Sequence, residues 1–245
     1  MQLRIRLLGI ILSWFITAPG FADIKVGTLL FYPPFVLSPD SGFDIQLIKT
    51  ICKNLNQDCT IIPMDYYRLF TALDNGSIDI AVGGITASKK LKENYLFSLP
   101  YMLSKGQFIL KKGSSYKSIN DLKGKIVGIL KTQEKEGPYY DYLIQNFPNL
   151  FTIQQFNDIE DVMNALNNNQ IDAAFLNYIT ANYWVMTCGD QLQDLDKETV
   201  LGEGIGIMSV SNNSNLINQI NQQLLQMEKD GSYLKIYNTY FPTPP

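Results

Sequence analysis

Beyond residue 22 the chain alternates short apolar runs with stripes of apolar residues at helical spacing. Residues 24–30 predict a strand that breaks at Tyr32-Pro33-Pro34, where proline removes backbone donors and stiffens the loop. Ile45, Ile48, Cys52 and Leu55 then share one helical face and predict a helix over 44–55. Residues 59–64 read as a second strand, 67–75 as a helix stopped by Gly76, and 78–82 as a third strand ending at Gly83-Gly84. The pattern then restarts. Residues 106–110 form an extended crossing segment, 118–124 a short helical turn and 125–130 a strand. Ile159, Val162, Met163 and Leu166 mark a helix with Asn157 as its cap and Glu160 as reciprocal partner, followed by a strand over 171–176. After Gly202-Glu203-Gly204 a strand over 205–210 leads to a helix carrying Leu216, Ile220, Leu224 and Met227, which stops at Gly231. Strands alternating with helices imply an α/β fold with parallel sheets, one theme used twice, with crossings near 106–112 and 200–206.

The first 22 residues follow a different pattern: Arg4 and Arg6, an apolar run over 7–16, and the small-residue exit Gly20-Phe21-Ala22. This is the layout of a cleavable signal peptide cut after Ala22, and the run is short of the roughly 20 residues needed to span a bilayer. A mature chain from Asp23 has 18 basic against 23 acidic residues and no basic cluster interleaved with aromatics, which argues against nucleic acid as a partner. Histidine is absent, which excludes His-based triads and proton shuttles and removes a principal zinc ligand. No metal or cofactor is expected. In an exported chain, Cys52 and Cys59 are close enough to join a helix end to the next strand by a disulfide worth about 2 kcal/mol; two reduced buried thiols are the alternative. Cys188 is left without an assigned function.

Candidate chemistry gathers at three places. Tyr32 stands in a proline-stiffened loop at a strand end, where an aromatic face can cover an aliphatic or cationic group. Gly83-Gly84 permits close approach to the backbone and Thr86 adds a hydroxyl before a helix start, a setting that suits a carboxylate. Thr132 and Gln133 follow the strand over 125–130 and begin a helix with further donors. For each, plain packing or a tight turn is the competing reading.

Several strings in order carry a resemblance: Gly42-Phe43-Asp44, Leu69 with Ala72-Leu73 and Ile78-Asp79, Gly84-Ile85-Thr86, Phe97-Ser98-Leu99-Pro100-Tyr101, Asp121-Leu122-Lys123-Gly124, Ile171-Asp172-Ala173, and Asp230-Gly231-Ser232-Tyr233. From about residue 24 to 241 the chain resembles a family 3 periplasmic solute-binding protein, the amino-acid-binding component of an ABC importer. The resemblance implies a two-lobed periplasmic binding protein fold of type II, with residues 23–108 and 206–245 in one lobe, 109–205 in the other, and two crossing strands as hinge. It implies a monomer that closes on a small solute and presents the closed form to an inner-membrane permease. Tyr32 and Tyr66 would sandwich the solute's side chain, and Gly84, Thr86, Thr132, Gln133 and Asn177 would bind its polar groups.

Two departures stand out. Where α-amino-acid binders carry an arginine for the carboxylate, this chain has Leu91, flanked by Lys89, Lys90 and Lys92; where they carry an aspartate for the ammonium, it has Asn177. Charge-assisted hydrogen bonds contribute about 1.5–3 kcal/mol against roughly 1 for neutral ones, so the zwitterion is held differently or is not the ligand. The lysines read equally as a solvated helix face, while Glu134 and Glu136 favour a cationic ligand. The rival readings are a cyclohexadienyl dehydratase-like enzyme on the same scaffold and a binder that docks on a sensor or chemoreceptor.

Overall fold

The predicted alternation of strands and helices is realised as two five-stranded sheets in the computed structural model of the chain, which describes residues 23–132 and 136–241. The leader read at residues 1–22 lies outside the described residues, as does Gln133. In chain order the elements are β1 (Ile24–Leu29), α1 (Phe43–Asn54), β2 (Cys59–Met64), α2 (Tyr66–Asp74), β3 (Ile80–Ala81), α3 (Lys89–Lys92), β4 (Leu96–Phe97), β5 (Lys105–Lys111) and β6 (Ile126–Leu130). They continue as α4 (Pro138–Asn146), β7 (Thr152–Phe156), α5 (Ile159–Asn167), β8 (Ala173–Asn177), α6 (Tyr178–Thr187), β9 (Leu192–Val200), β10 (Met208–Ser209), α7 (Ser214–Asp230) and α8 (Ser232–Tyr240).

The first sheet has the order β2-β1-β3-β10-β4 and the second β7-β6-β8-β5-β9. Each is parallel on one side, where crossover helices connect the strands, and antiparallel on the other, because β10 in the first sheet and β5 in the second run opposite to the strands on either side of them. The segment read as a crossing at 106–112 is therefore a strand of the second sheet. Its successive residues Phe108 and Ile109 point to opposite faces and both are buried, since neighbours cover both faces. The passages between lobes are 98–104 and 201–207, tied together where Tyr101 N donates to Ile205 O at 3.0 Å and Leu201 N to Ser104 O at 2.9 Å. Gly202 is obligatory there: its φ is +57°, and a Cβ would stand 2.2 Å from the carbonyl oxygen of Ala87.

Three local expectations shift. The strand expected over 205–210 shortens to Met208–Ser209, because Ile205 is engaged by Met102 and Thr86 on the passage instead. Asp158, not Asn157, caps α5: its side chain accepts from Asp161 N at 2.8 Å, one residue closer to the first buried position, Ile159. The helix expected from Thr132 starts at Pro138, whose ring suits a first helical position after Gly137 with φ +112°.

Phe43 fixes the return of the chain to the first lobe. It is fully buried, with ring centroids of Tyr101, Tyr233, Tyr237, Tyr240 and Phe241 all between 5.0 and 6.4 Å away, so α8 is held on α1 by a cluster of aromatic rings. At the opposite end of the sheet from the passages, Cys52 and Cys59 form the disulfide that ties α1 to β2. Cys188 is free and half-buried. Among the described residues no helix is long and apolar enough to cross a membrane.

Candidate functional site

The strand ends of the first sheet set up one wall. After β1 the chain turns through Tyr32-Pro33-Pro34-Phe35, closed by Tyr32 N to Val36 O at 2.8 Å and Val36 N to Tyr32 O at 2.9 Å. The Tyr32 ring stacks on Phe35 with centroids 6.0 Å apart, and Tyr66, the first residue of α2, packs on Phe70. Both tyrosines are buried, which pushes their phenols above the ordinary value, so they stand as neutral donors.

Asp44 explains the Gly83-Gly84 turn in a way the sequence reading did not anticipate. Its Oδ2 accepts from Gly83 N at 2.8 Å, Gly84 N at 2.7 Å and the Tyr101 hydroxyl at 2.8 Å. The Gly84 amide is therefore engaged inside the lobe, and its Cα faces the Phe35 ring, where a Cβ would come within 3.0 Å. The Gly83-Gly84 backbone, read as open to close approach in a setting that suits a carboxylate, does hold one, but it is the protein's own. Burial raises the Asp44 carboxyl from 3.8 to about 6 against the lowering effect of these three hydrogen bonds.

Thr86 is fully buried, and its hydroxyl lies 2.7 Å from Ser104 Oγ on the passage and 3.5 Å from the Tyr139 hydroxyl on α4. Tyr139 is the functional candidate that sequence reasoning missed; the available signal was Gly137-Pro138, which fixes the start of a helix and leaves an aromatic in its first turn. Its hydroxyl is also faced by Asn177, Ser104 and Tyr32, and burial raises its pKa. Thr132 is buried against Gly137, whose missing Cβ would fall 2.7 Å from Thr132 Oγ1.

Asn177 is oriented by the helix it begins. As the N-cap of α6 its Oδ1 accepts from Ile179 N at 2.9 Å, while Nδ2 is buried without a partner. The group that Asn177 leaves unpartnered within the protein is thus a donor. Thr180 Oγ1, one turn into α6 and facing Tyr32, is likewise buried and unpartnered. Tyr32, Thr86, Asn177, Tyr139 and Thr180 thus present neutral polar groups to one another across the two lobes.

Leu91 is buried in the first lobe at 5% exposure, whereas Lys90 and Lys92 point outward. Lys90 bridges the lobes to Glu136 at 3.2 Å and Lys92 pairs with Glu203 at 2.6 Å, so the lysines form a paired outer face rather than a substitute clamp. On another part of the rim Lys131 Nζ lies 5.4 Å from the Tyr67 ring centroid. Glu134 is outside the described residues. Among the described residues no group of three or more acidic or Cys side chains is gathered for a metal ion.

Two α/β lobes with buried polar groups converging between them are the architecture of a binding cleft, and residues 24–243 match the family described as bacterial extracellular solute-binding proteins, family 3. The chain belongs to that family. Among its relatives, the ABC transporter arginine-binding protein 1 of Escherichia coli (strain K12) is 26% identical over 98% of this chain and 99% of its own length. A solved solute-binding structure from Legionella pneumophila, described as an arginine 3rd transport system periplasmic binding protein, is 33% identical over 89% of this chain and 99% of that one, with a TM-score of 0.82. A second solved structure, described as the ancestral amino acid-binding protein AncCDT-1, a precursor of cyclohexadienyl dehydratase, is 25% identical over 89% of this chain and 95% of that one, with a TM-score of 0.78.

Proposed function

We propose that this protein is the periplasmic binding component of an ABC importer, capturing a small amino acid or amino-acid-like solute and delivering it to an inner-membrane permease. It works without chemistry or a cofactor. The lobes built on the two sheets swing about the passages 98–104 and 201–207, and the solute desolvates the hydroxyl and amide groups between them. The observation that carries this reading is the convergence of Thr86 and Tyr32 from one lobe with Tyr139 and Asn177 from the other, all buried. The family match over 24–243 supports it.

In this reading Tyr32 and Tyr66 cover the solute's apolar or cationic portion, Thr86, Thr132 and Asn177 meet its polar groups, and Gly84 shapes the wall through Asp44. Residues 1–22 act as the export leader, removed after Ala22. With Leu91 and Asn177 in place of a charged pair, the solute is held by neutral donors, giving weaker binding per contact than a bidentate arginine.

A thermal-shift screen of amino acids, amines and organic acids, followed by titration calorimetry, tests the proposal. Thr86→Ala and Tyr32→Ala are expected to weaken the best ligand by about fivefold or more, the equivalent of one lost neutral hydrogen bond. Affinity unchanged in both variants overturns the site assignment. The similarity to AncCDT-1 favours one rival, an eliminating enzyme, and turnover of prephenate or arogenate by the purified protein would establish that rival instead.

A further inference from the structure

At the centre of the residues assigned to the solute stands a side chain of the protein itself. Tyr139 is 7% exposed, and its hydroxyl is faced by Thr86 and Tyr32 of the first lobe, Ser104 of the passage and Asn177 of the second lobe. A tyrosine that merely filled a core would satisfy its hydroxyl within its own lobe. Here the ring rests on Phe175 of its own sheet, 5.8 Å between centroids, while the hydroxyl crosses to the other lobe. The backbone holds it there. Gly137 adopts φ +112°, Pro138 begins α4, and Gly137 packs so close to Thr132 that no Cβ fits, which fixes the first turn of the helix against the cleft. At the rim, Glu136 holds the same turn to Lys90 of the first lobe.

We propose that Tyr139 is an intramolecular occupant of the cleft: its phenol competes with the solute's polar end for Thr86 and Ser104, beside the unpartnered Nδ2 of Asn177, and thereby sets both the affinity and the size of the solute accepted. The proposal rests on reading this cleft as a solute site. A solute that enters exchanges the phenol's contacts for its own, so its gain is the difference between two similar sets of neutral hydrogen bonds. The chain without the phenol is the tighter binder. Because the phenol also bridges the lobes, it stabilises their closed arrangement before any solute arrives, which raises the cost of exchange further.

The test uses the full mature chain with Tyr139→Phe and Tyr139→Ala. Titration with glycine, glutamine, histidine and arginine is expected to show affinity for the tightest of these rising by about fivefold in Tyr139→Phe, and by roughly tenfold or more in Tyr139→Ala, with larger side chains newly accepted. Weaker binding in both variants would make Tyr139 a direct solute contact and overturn the proposal, as would unchanged affinity. Small-angle scattering without added solute supplies a second readout that does not depend on knowing the ligand. Tyr139→Ala should have a larger radius of gyration than the unaltered chain, and equal radii overturn the proposal. If none of the four amino acids binds any form, the assigned solute class falls, while the scattering comparison still decides whether the phenol holds the lobes together. Tyr139→Phe keeps the ring against Phe175, so a folding defect confined to Tyr139→Ala leaves the affinity comparison intact.

Discussion

Asp44 offers the sharpest quantitative check on how this lobe is built. Its Oδ2 collects Gly83 N, Gly84 N and the Tyr101 hydroxyl within 2.8 Å, while Oδ1 is buried with no hydrogen-bond partner. The two oxygens pull in opposite directions: three donors favour the carboxylate, and desolvation of a fully buried group disfavours it. Desolvation prevails, placing the carboxyl at about 6 rather than 3.8, a gap equivalent to roughly 3 kcal/mol. A raised folded-state value means that the native protein holds the proton more tightly than the unfolded chain. Its stabilising contribution is complete below pH 3.8 and is lost as pH rises through about 6. Asp44→Asn removes the titration while retaining an oxygen that accepts from Gly83 and Gly84. Urea unfolding of both proteins between pH 4 and pH 7.5 should therefore show the unaltered chain losing roughly 2–2.5 kcal/mol relative to Asp44→Asn, since part of the full effect is already gone at pH 4. If the difference is flat, or if the unaltered chain gains on the variant as pH rises, the three hydrogen bonds outweigh burial and the reasoning fails.

Two further expectations concern the scaffold. The Cys52–Cys59 ring spans a sequence separation of 7, so replacing both cysteines by serine should cost about 2 kcal/mol in denaturant unfolding while solute affinity stays the same, because the bridge lies at the end of the sheet remote from the passages. Phe43→Ala should cost about 3–5 kcal/mol and expose α8 to limited proteolysis, since Phe43 is the ring on which Tyr233, Tyr237, Tyr240 and Phe241 converge; an unaltered cleavage pattern would show that α8 is held by something else.

The scaffold was largely legible because periodicity and turn residues are local signals. The β1, α1, β2 and α2 stretches and the stop at Gly231, which adopts φ +79°, could be read from spacing alone. What could not be read was set by partners distant in sequence. Nothing near Gly84 says that its amide will be taken by a carboxylate 40 positions earlier, or that Ile205 will pair with Met102 and Thr86 rather than continue toward β10. Asn177 shows the limit most clearly. Its identity revealed the missing charge, but only the cap it makes to Ile179 N shows which of its two polar atoms faces the cleft.

The two missing charges have a common physical origin if the cleft holds its own phenol. An arginine at position 91 would have to be buried, since Leu91 is 5% exposed, and a buried cation is tolerable only beside a counter-charge. In a binder whose cleft receives a carboxylate, the ligand supplies that counter-charge. Tyr139 is neutral and supplies none, so an aspartate at 177 would stand uncompensated whenever the phenol occupies the cleft, at a cost of several kcal/mol, and an arginine at 91 would have only Glu136 and Asp141, which line the same small cavity and of which Glu136 is already paired with Lys90. Leu91 and Asn177 remove both penalties together. Introducing one charge without removing the phenol should therefore destabilise the protein, whereas Leu91→Arg combined with Tyr139→Ala should lose less stability than the two single changes summed. Strict additivity in a double-mutant cycle would separate the missing charges from the phenol and leave Leu91 as ordinary core packing.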